Sequence, residues 1–173
     1  MLNYFELFNL PVSFLPPKDA VRKNYVELSK RCHPDYFAQA DEGAQTNALE
    51  LSAEVNKAFK IFNNQQATIK YVLELKGVLQ ENEKYNLPPS FLMEMMEINE
   101  KITEEEQAGD PNEKESMNRR LSAIENEIYE PVALIIENYN EGTTTQEELL
   151  PVKDYYFKRK YLARIYKALD GKL

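Results

Sequence analysis

The sequence predicts an all-α protein built from two helical domains. Apolar residues recur at helical spacing in every long stretch between turn signals, and no stretch has the pattern of a strand. Between Gly77 and Asn86 the chain is polar and shows no clear period, which is typical of a linker. We therefore expect a four-helix domain with an antiparallel helical hairpin over residues 1–76, a linker over 77–87 and a three-helix bundle over 88–173.

The N-terminal domain opens with a short helix followed by a longer amphipathic one. The short helix is an apolar cluster that ends before Pro11, with the members Tyr4, Phe5, Leu7 and Phe8. The longer helix begins at Pro16 and Pro17, because proline suits the first turn of a helix. Its apolar stripe consists of Val21, Tyr25, Leu28 and Cys32. The side away from this stripe is cationic and carries Arg22, Lys23, Lys30 and Arg31.

Two further helices complete the N-terminal domain. The apolar pattern resumes near Ala44 and predicts a third helix with the core residues Leu51, Val55, Ala58, Phe59 and Phe62. Asn63 and Asn64 break this helix. The fourth helix stops near Gly77, and its inward residues are Ile69, Val72 and Leu73.

The C-terminal domain begins with a helix that starts at Pro88-Pro89-Ser90 and has the core face Phe91, Met95, Ile98 and Ile102. This helix continues through the acidic run Glu104-Glu105-Glu106 and ends at Gly109. The next helix opens at Asp110-Pro111-Asn112-Glu113, which is typical of a helix start. Its core stripe is Met117, Leu121, Ile124 and Ile128.

Two prolines affect the predictions for the remaining helices. Pro131 should bend or break the sixth helix, which otherwise continues to Asn140-Glu141-Gly142. Thr145-Gln146-Glu147-Glu148 is a capping box that opens the last helix. Pro151 lies early enough in this helix to be tolerated with a kink, or it marks the true start. The expected core residues are Val152, Tyr155, Tyr156, Leu162, Tyr166 and Leu169.

Composition argues against several classes of function. The formal net charge of -8 and the charged fraction of 29% argue against a general binder of nucleic acids or anionic membranes. No apolar run approaches the roughly 20 residues that span a bilayer, and the N-terminus lacks the pattern of a secretion signal, so we expect a cytoplasmic protein. With one cysteine, one histidine and five glycines the chain has no zinc ligand set and no phosphate-binding loop. We expect neither enzyme activity nor a cofactor.

The first candidate site is the tripeptide His33-Pro34-Asp35, which follows the cationic helix. Proline disfavours helical geometry in the residue before it, so this segment forms an exposed turn between the two paired helices. The simplest alternative is a helix-ending turn beside a solvated charged face. A small hydrolase using His33 and Asp35 is another alternative, but the chain lacks a nucleophile motif and a metal set.

The second candidate site is the outer side of the fifth helix. On a helical wheel it carries three large apolar residues beside three carboxylates, namely Leu92, Met93, Met96, Glu97, Glu100 and Glu104. Such a surface is unusual for a solvated helix face, and methionine suits adaptable binding surfaces. The alternative is that a third helix covers the apolar residues and leaves the carboxylates as a wet rim.

The N-terminal residues resemble a J-domain. The resemblance rests on Asn3-Tyr4-Phe5-Glu6-Leu7-Phe8, Tyr25, Leu28, His33-Pro34-Asp35-Tyr36-Phe37 and Ala58-Phe59. In that family the His-Pro-Asp loop and the basic second helix dock on a DnaK-class chaperone ATPase and trigger ATP hydrolysis. The resemblance implies that His33, Pro34 and Asp35 engage the chaperone and that the cations of the second helix steer the encounter. Tyr36 and Cys32 depart from the usual residues of the family, which indicates variation in loop packing or docking strength.

The stretch from Leu87 to Glu97 is similar to the signature of HscB-type iron-sulfur co-chaperones. In that family the corresponding face binds the IscU-type scaffold on which iron-sulfur clusters are built, and the chaperone partner is of the HscA type. The resemblance implies scaffold binding by Leu92, Met93, Met96, Glu97, Glu100 and Glu104, with Met96 in place of the usual leucine.

The last helix is expected to add one aromatic contact to this scaffold-binding face. Phe157 matches an aromatic contact of the family, although Tyr155 or Tyr156 could take its place. The Cys-x-x-Cys pairs of some relatives are absent, so the resemblance implies no metal site of this chain's own. Two alternatives stay open beside this interpretation, a J-domain protein that serves another client and a purely structural helical protein.

Overall fold

The computed structural model describes residues 2–37, 39–108 and 111–170. Regular structure in these ranges is entirely helical, which confirms the predicted fold class. The helices are α1 (Tyr4–Leu7), α2 (Lys18–Arg31), α3 (Glu42–Phe62), α4 (Gln65–Leu75), α5 (Pro89–Ala108), α6 (Pro111–Glu137) and α7 (Gln146–Leu169), and a 3₁₀ turn spans Pro34–Phe37. The chain forms two compact units, one of Met1–Val72 with Tyr139–Thr143 and one of Leu73–Asn138 with Thr144–Leu173.

Aromatic packing organises the first unit. The short helix α1 begins with a capping box between Asn3 and Glu6, which satisfies two of its free backbone N–H groups. Phe5 and Phe8 are then fully buried, and their rings lie 4.7 Å and 5.3 Å from that of Phe62 at the end of α3. A four-residue helix has little stability of its own, so these contacts hold it in place.

Helices α2 and α3 pack against each other as the predicted hairpin. Tyr25 of α2 stacks on Phe59 of α3 at 3.9 Å, and its hydroxyl donates a hydrogen bond to Asn56 at 3.0 Å. Val21 and Cys32 mark the two ends of the buried stripe of α2. The prediction of a second helix that stops before His33 is confirmed, since α2 ends at Arg31.

One predicted core residue of α3 is wrong. Leu51 has the correct helical phase, but 41% of its surface is exposed. It lines a shallow surface groove together with Leu2, Tyr4 and Leu7. The short N-terminal segment therefore covers this part of α3 only partly, which the spacing of apolar residues does not reveal.

The junction between α3 and α4 is a tight, hydrogen-bonded turn. The Asn64 side chain accepts a hydrogen bond from the Ala67 N–H at 2.9 Å, and the Thr68 hydroxyl donates to the Ile61 carbonyl at 2.8 Å. Thr68 is the one buried polar residue among those described, and this bond satisfies it. The predicted end of α4 near Gly77 is confirmed: Gly77 has a φ of +68°, a conformation that glycine adopts without strain.

The second unit is a three-helix bundle of α5, α6 and α7. Its core combines one stripe from each helix, made of Phe91, Met95, Ile98, Ile102, Met117, Leu121, Ile124, Leu162, Ile165 and Leu169. Ile128 and Tyr166 pack on this cluster while staying half-buried. The predicted core face of α5 is therefore confirmed in full.

Helix α6 begins at Pro111, as predicted, and differs from its prediction in the middle and at its end. It runs unbroken through Pro131, so of the two predicted outcomes, a bend or a break, the break is excluded. The flanking Val132 and Ile136 are almost fully buried, and their packing offsets the backbone hydrogen bond that proline removes. The helix ends at Glu137, before the predicted Asn140. Gly109 and Asp110, which were predicted to separate α5 from α6, lie outside the described residues.

Helix α7 starts as predicted, with a capping box between Thr145 and Glu148. The backbone N–H of Thr145 donates to the Glu148 carboxylate at 2.8 Å, and this bond lowers the pKa of Glu148. Pro151 lies inside the helix near its start, which confirms that it is tolerated there.

The segment over residues 77–87, predicted as the linker, is held along α7. Lys153 donates to the Val78 carbonyl at 2.9 Å and pairs with Glu83 at 2.5 Å. The Tyr85 hydroxyl donates to Asp154 at 2.8 Å. These polar contacts join two stretches about 70 residues apart, so helical periodicity carries no signal for them. None of the helices in the described ranges is long and apolar enough to cross a bilayer.

Candidate partner-binding surfaces

The tripeptide His33-Pro34-Asp35 forms a tight turn at the end of α2. The Tyr36 N–H donates to the His33 carbonyl at 3.1 Å, and the Asp35 N–H donates to His33 Nδ1 at 3.3 Å. The Asp35 side chain is 87% exposed and that of His33 is 54% exposed. The turn therefore presents a ring and a carboxylate to solvent, as predicted, whereas the side chain of Pro34 is not among those described.

The two side chains of this turn interact only weakly with each other. His33 Nδ1 lies 3.7 Å from the Asp35 carboxylate, which is beyond hydrogen-bond distance. An ion pair there requires a proton on Nδ1, but the bond from the Asp35 N–H requires that nitrogen to be free. Nδ1 accepts the hydrogen bond from the Asp35 N–H, which at 3.3 Å is the shorter of the two contacts. The Asp35 carboxylate is therefore free to accept hydrogen bonds from a partner.

A groove of 420 Å³ joins this turn to the cationic helix. It is lined by Tyr25, Val26, Ser29, Lys30, His33, Asp35 and Tyr36. Of the predicted cations, only Lys30 reaches this groove, while Arg22, Lys23 and Arg31 are exposed along α2. Within the described part of the chain none of these four cations forms an ion pair. The first surface is thus a polar turn beside unpaired positive charge.

The groove also contains residues outside the predicted chaperone-binding set, and Val26 and Tyr36 are the most exposed of them. Val26 is 43% exposed on the cationic side of α2, and Tyr36 is 75% exposed with its ring 6.1 Å from that of His33. Val26 lies one turn before Lys30, so a helical wheel of α2 would have placed it on the same side. Tyr36 carried no such signal, because the geometry of the turn decides where it points.

The outer face of α5 is exposed where the sequence predicts. Met93 is 63% exposed and Met96 is 57% exposed, whereas Met95 between them is fully buried. The carboxylates of Glu97, Glu100 and Glu104 are exposed on the same helix. Leu92 is half-buried, so it lies between the exposed methionines and the core of the bundle in accessibility. Among the described residues no other helix covers the two methionines. This argues against the alternative that a third helix buries the apolar residues of this face.

Phe157 is the one member of the aromatic run in α7 that is accessible beside this face. Tyr155 and Tyr156 are 5% and 6% exposed, and Phe157 is half-buried. Phe157 and Leu92 line one groove of 380 Å³ in the second unit. The structure thus brings Leu92 and Phe157 together and leaves the two tyrosines in the interior.

The groove contains residues that the sequence did not single out. Its lining also includes Glu83, Tyr85, Asn86, Leu87, Lys160, Tyr161 and Arg164. The residues from α7 follow Phe157 at helical spacing, so a wheel centred on Phe157 could have found them. The residues from 83–87 depend on a long-range contact and could not be found in this way.

The strongly perturbed titratable groups have structural roles. Burial and a hydrogen bond to Glu54 raise the pKa of Tyr4 to about 12, and burial with a hydrogen bond to Asp154 raises the pKa of Tyr85 to about 12. Both phenols therefore stay protonated and act as hydrogen-bond donors. No group of three His, Cys, Asp or Glu side chains in the described ranges is arranged to hold a metal ion.

Comparison with known proteins agrees with this arrangement. Residues 87–170 match the family described as the HSCB C-terminal oligomerisation domain. The structure of a chaperone HscB from Vibrio cholerae superposes with a TM-score of 0.77, is 27% identical and covers 98% of this chain and 96% of that one. The chain is similar to HscB-type co-chaperones in both sequence and fold. The crystal structure of the human co-chaperone HscB has a TM-score of 0.81 at 25% identity, covering 99% of this chain and 82% of the human one.

Curated HscB homologues agree with the structural matches. A co-chaperone HscB homologue of Vibrio cholerae is 29% identical over 166 residues, which cover 95% of this chain and 92% of the relative. Another, from Pseudoalteromonas atlantica, is 39% identical over 111 residues. This second alignment spans 64% of the chain and 63% of that relative.

Proposed function

We propose that this protein is an adaptor that binds an IscU-type iron-sulfur scaffold and delivers it to an HscA/DnaK-class chaperone, whose ATPase it stimulates. The α5 face and Phe157 hold the scaffold, and the turn at His33-Pro34-Asp35 with the α2 cations engages the chaperone. The similarity to HscB-type co-chaperones supports the co-chaperone role. Iron-sulfur cluster assembly is the process in which we place it.

One observation carries the scaffold half of this proposal. Met93 and Met96 are more than half exposed on a helix whose inward stripe already fills the bundle core. Neighbouring exposed apolar side chains that form a patch often mark a site where a partner binds. Three exposed carboxylates beside them give the partner a charged rim to align with.

The turn supports the chaperone half. Its carboxylate and ring are exposed and nearly independent of each other, so both are free to bond to a partner. The cations of α2 form a local positive strip on a protein of net charge -8, which orients an approaching partner as well as attracting it.

Bringing the scaffold and the chaperone onto one chain raises their effective concentration towards each other. The adaptor biases the chaperone between conformations through differential binding, and ATP hydrolysis takes place on the chaperone. This chain supplies no catalytic group in that scheme.

Steady-state ATPase of a DnaK-class chaperone tests the proposal. We expect stimulation by this protein alone, and greater stimulation when an IscU-type scaffold is added with it. Calorimetry should show direct binding of the scaffold to this protein. Stimulation without any scaffold binding would favour a J-domain protein that serves another client, and the absence of both would refute the proposal.

A further inference from the structure

The groove that joins Leu92 to Phe157 has an apolar floor. Leu87 and Tyr161 pack against the bundle core and, together with Leu92 and Phe157, form this floor. Its volume of 380 Å³ lies at the lower end of the range of about 300–1,000 Å³ for ligand pockets. An opening of this size on an interaction surface suits one large apolar side chain with part of its backbone.

Tyr85 fixes the position of Phe157 in this floor. The two rings are parallel within 2° and their centroids are 4.5 Å apart. The hydroxyl of Tyr85 is in turn held by Asp154, and the neighbouring Glu83 is held by Lys153. Phe157 is therefore a pre-positioned aromatic surface, which lowers the entropy cost of binding.

The cations around the groove fall into two groups. Lys153, Lys158 and Arg159 each pair with a carboxylate of the second unit at 2.5–2.6 Å, namely Glu83, Asp154 and Glu125. Lys160 and Arg164 line the groove itself. They are exposed and have no ion pair within the described ranges. They lie one helical turn apart on α7, so their charges project from the same side.

The partner surface must therefore carry both signs of charge. The exposed carboxylates Glu97, Glu100 and Glu104 lie on α5, the helix that contributes Leu92 to the groove. Lys160 and Arg164 line the groove from α7, and neither has an ion pair within the described part of the chain. On a protein with a formal net charge of -8, two unpaired cations at the rim of an apolar groove attract a carboxylate. Opposite signs on two sides of one contact select a single orientation of the partner.

We propose that this groove takes a large apolar side chain of the scaffold whose neighbouring carboxylate pairs with Lys160 and Arg164. The inference rests on the proposed function and extends its binding surface from α5 and Phe157 to the cationic side of α7. Tyr85 acts as a positioning residue for Phe157.

The test measures the affinity of the full chain for an IscU-type scaffold by calorimetry at low and high salt. The variants are Lys160→Glu, Arg164→Glu and the conservative Arg164→Lys. The matched control is Lys167→Glu, which makes the same change of charge on α7 at an exposed residue outside the groove lining. Circular dichroism melting checks that each variant folds.

Lys160→Glu and Arg164→Glu should each weaken scaffold binding about fivefold to tenfold at low salt. This loss of affinity should shrink as the salt concentration rises. Arg164→Lys should stay within about twofold of the unchanged protein, as should the control. Affinities of Lys160→Glu and Arg164→Glu that match the control overturn this inference but leave the proposed function intact. Absence of scaffold binding by the unchanged protein refutes the proposed function instead.

Discussion

The turn after α2 and the outer face of α5, the two surfaces that we propose bind partners, are built in opposite ways. The turn presents two exposed polar side chains, His33 at 54% and Asp35 at 87%, and the cations of α2 beside it form no ion pair within the described ranges. The α5 face presents two exposed methionines on a helix whose other side is locked into the bundle core. The first surface is built on a turn, and the second is built on a rigid element.

This difference teaches what each surface is suited for. Exposed charges change association rates and orientation more than they change the lifetime of a complex. Buried apolar anchors dominate the binding energy of an interface and slow its dissociation. A chaperone that must bind and leave in each cycle fits the polar turn, whereas a scaffold that must be retained during delivery fits the apolar face.

The largest expected effect comes from a substitution in the polar turn alone. Asp35→Asn removes the charge of a side chain that is 87% exposed and should reduce chaperone ATPase to its basal rate. The same variant should bind the scaffold with unchanged affinity by calorimetry. Asp19→Asn is the matched control, since it makes the same change at an exposed position in the first turn of α2. Normal stimulation by Asp35→Asn would remove the turn from the mechanism.

The next largest effect is expected from substitutions on the apolar outer face of α5. Replacing Leu92, Met93 and Met96 together with alanine should weaken scaffold binding by about 3–6 kcal/mol, the scale of buried interface anchors. Stimulation of the chaperone without scaffold should survive. The control replaces Leu134 and Leu150, which are 73% and 54% exposed outside this face, and it should leave scaffold affinity unchanged. Equal losses in both variants would mean that the α5 face has no special role.

Neighbouring methionines sharpen the distinction between core and surface. Met95→Ala empties a fully buried position and should lower the free energy of unfolding by about 2–5 kcal/mol. Met96→Ala changes a side chain that is 57% exposed. It should alter the free energy of unfolding by no more than about 0.5 kcal/mol. Denaturant unfolding measures both values. Similar losses for the two variants would contradict the orientation of α5.

The smallest expected effect concerns pH and the segment held against α7. The hydrogen bond from Lys153, with a second from the Gln80 N–H, lowers the pKa of Glu83 in the folded state. Its contribution to stability is therefore present above the ordinary glutamate pKa of about 4.3 and is lost as pH falls through the lowered folded value. Glu83→Gln should reduce the free energy of unfolding by up to about 1 kcal/mol at pH 7, and this difference should shrink as the pH falls below about 4.3. A difference that stays constant as the pH is lowered would exclude the ion pair as its cause.

Local patterns predicted most of the helices because their causes are local. The capping box at Thr145 and Glu148, the glycine at the end of α4 and the inward stripe of α5 each depend on residues within a few positions of one another. The exposure of Met93 and Met96 followed from the same helical period. These parts of the fold and site need no knowledge of distant contacts.

The failures have long-range causes. Leu51 has the phase of a core residue, but Leu2, Tyr4 and Leu7 cover it only partly. Pro131 does not break α6, and Val132 and Ile136 beside it are almost fully buried in the folded chain. Tyr85 and its contact with Phe157 join positions 72 residues apart, so no local pattern could place them in the groove.

The central claim is that the two surfaces act separately within one chain. One experiment compares Asp35→Asn with the alanine replacement of Leu92, Met93 and Met96, and measures chaperone stimulation and scaffold affinity for both. We predict that, when stimulation is measured without scaffold, the first variant loses only stimulation and the second loses only scaffold affinity. Loss of both activities in either variant, with folding intact by circular dichroism, would contradict it.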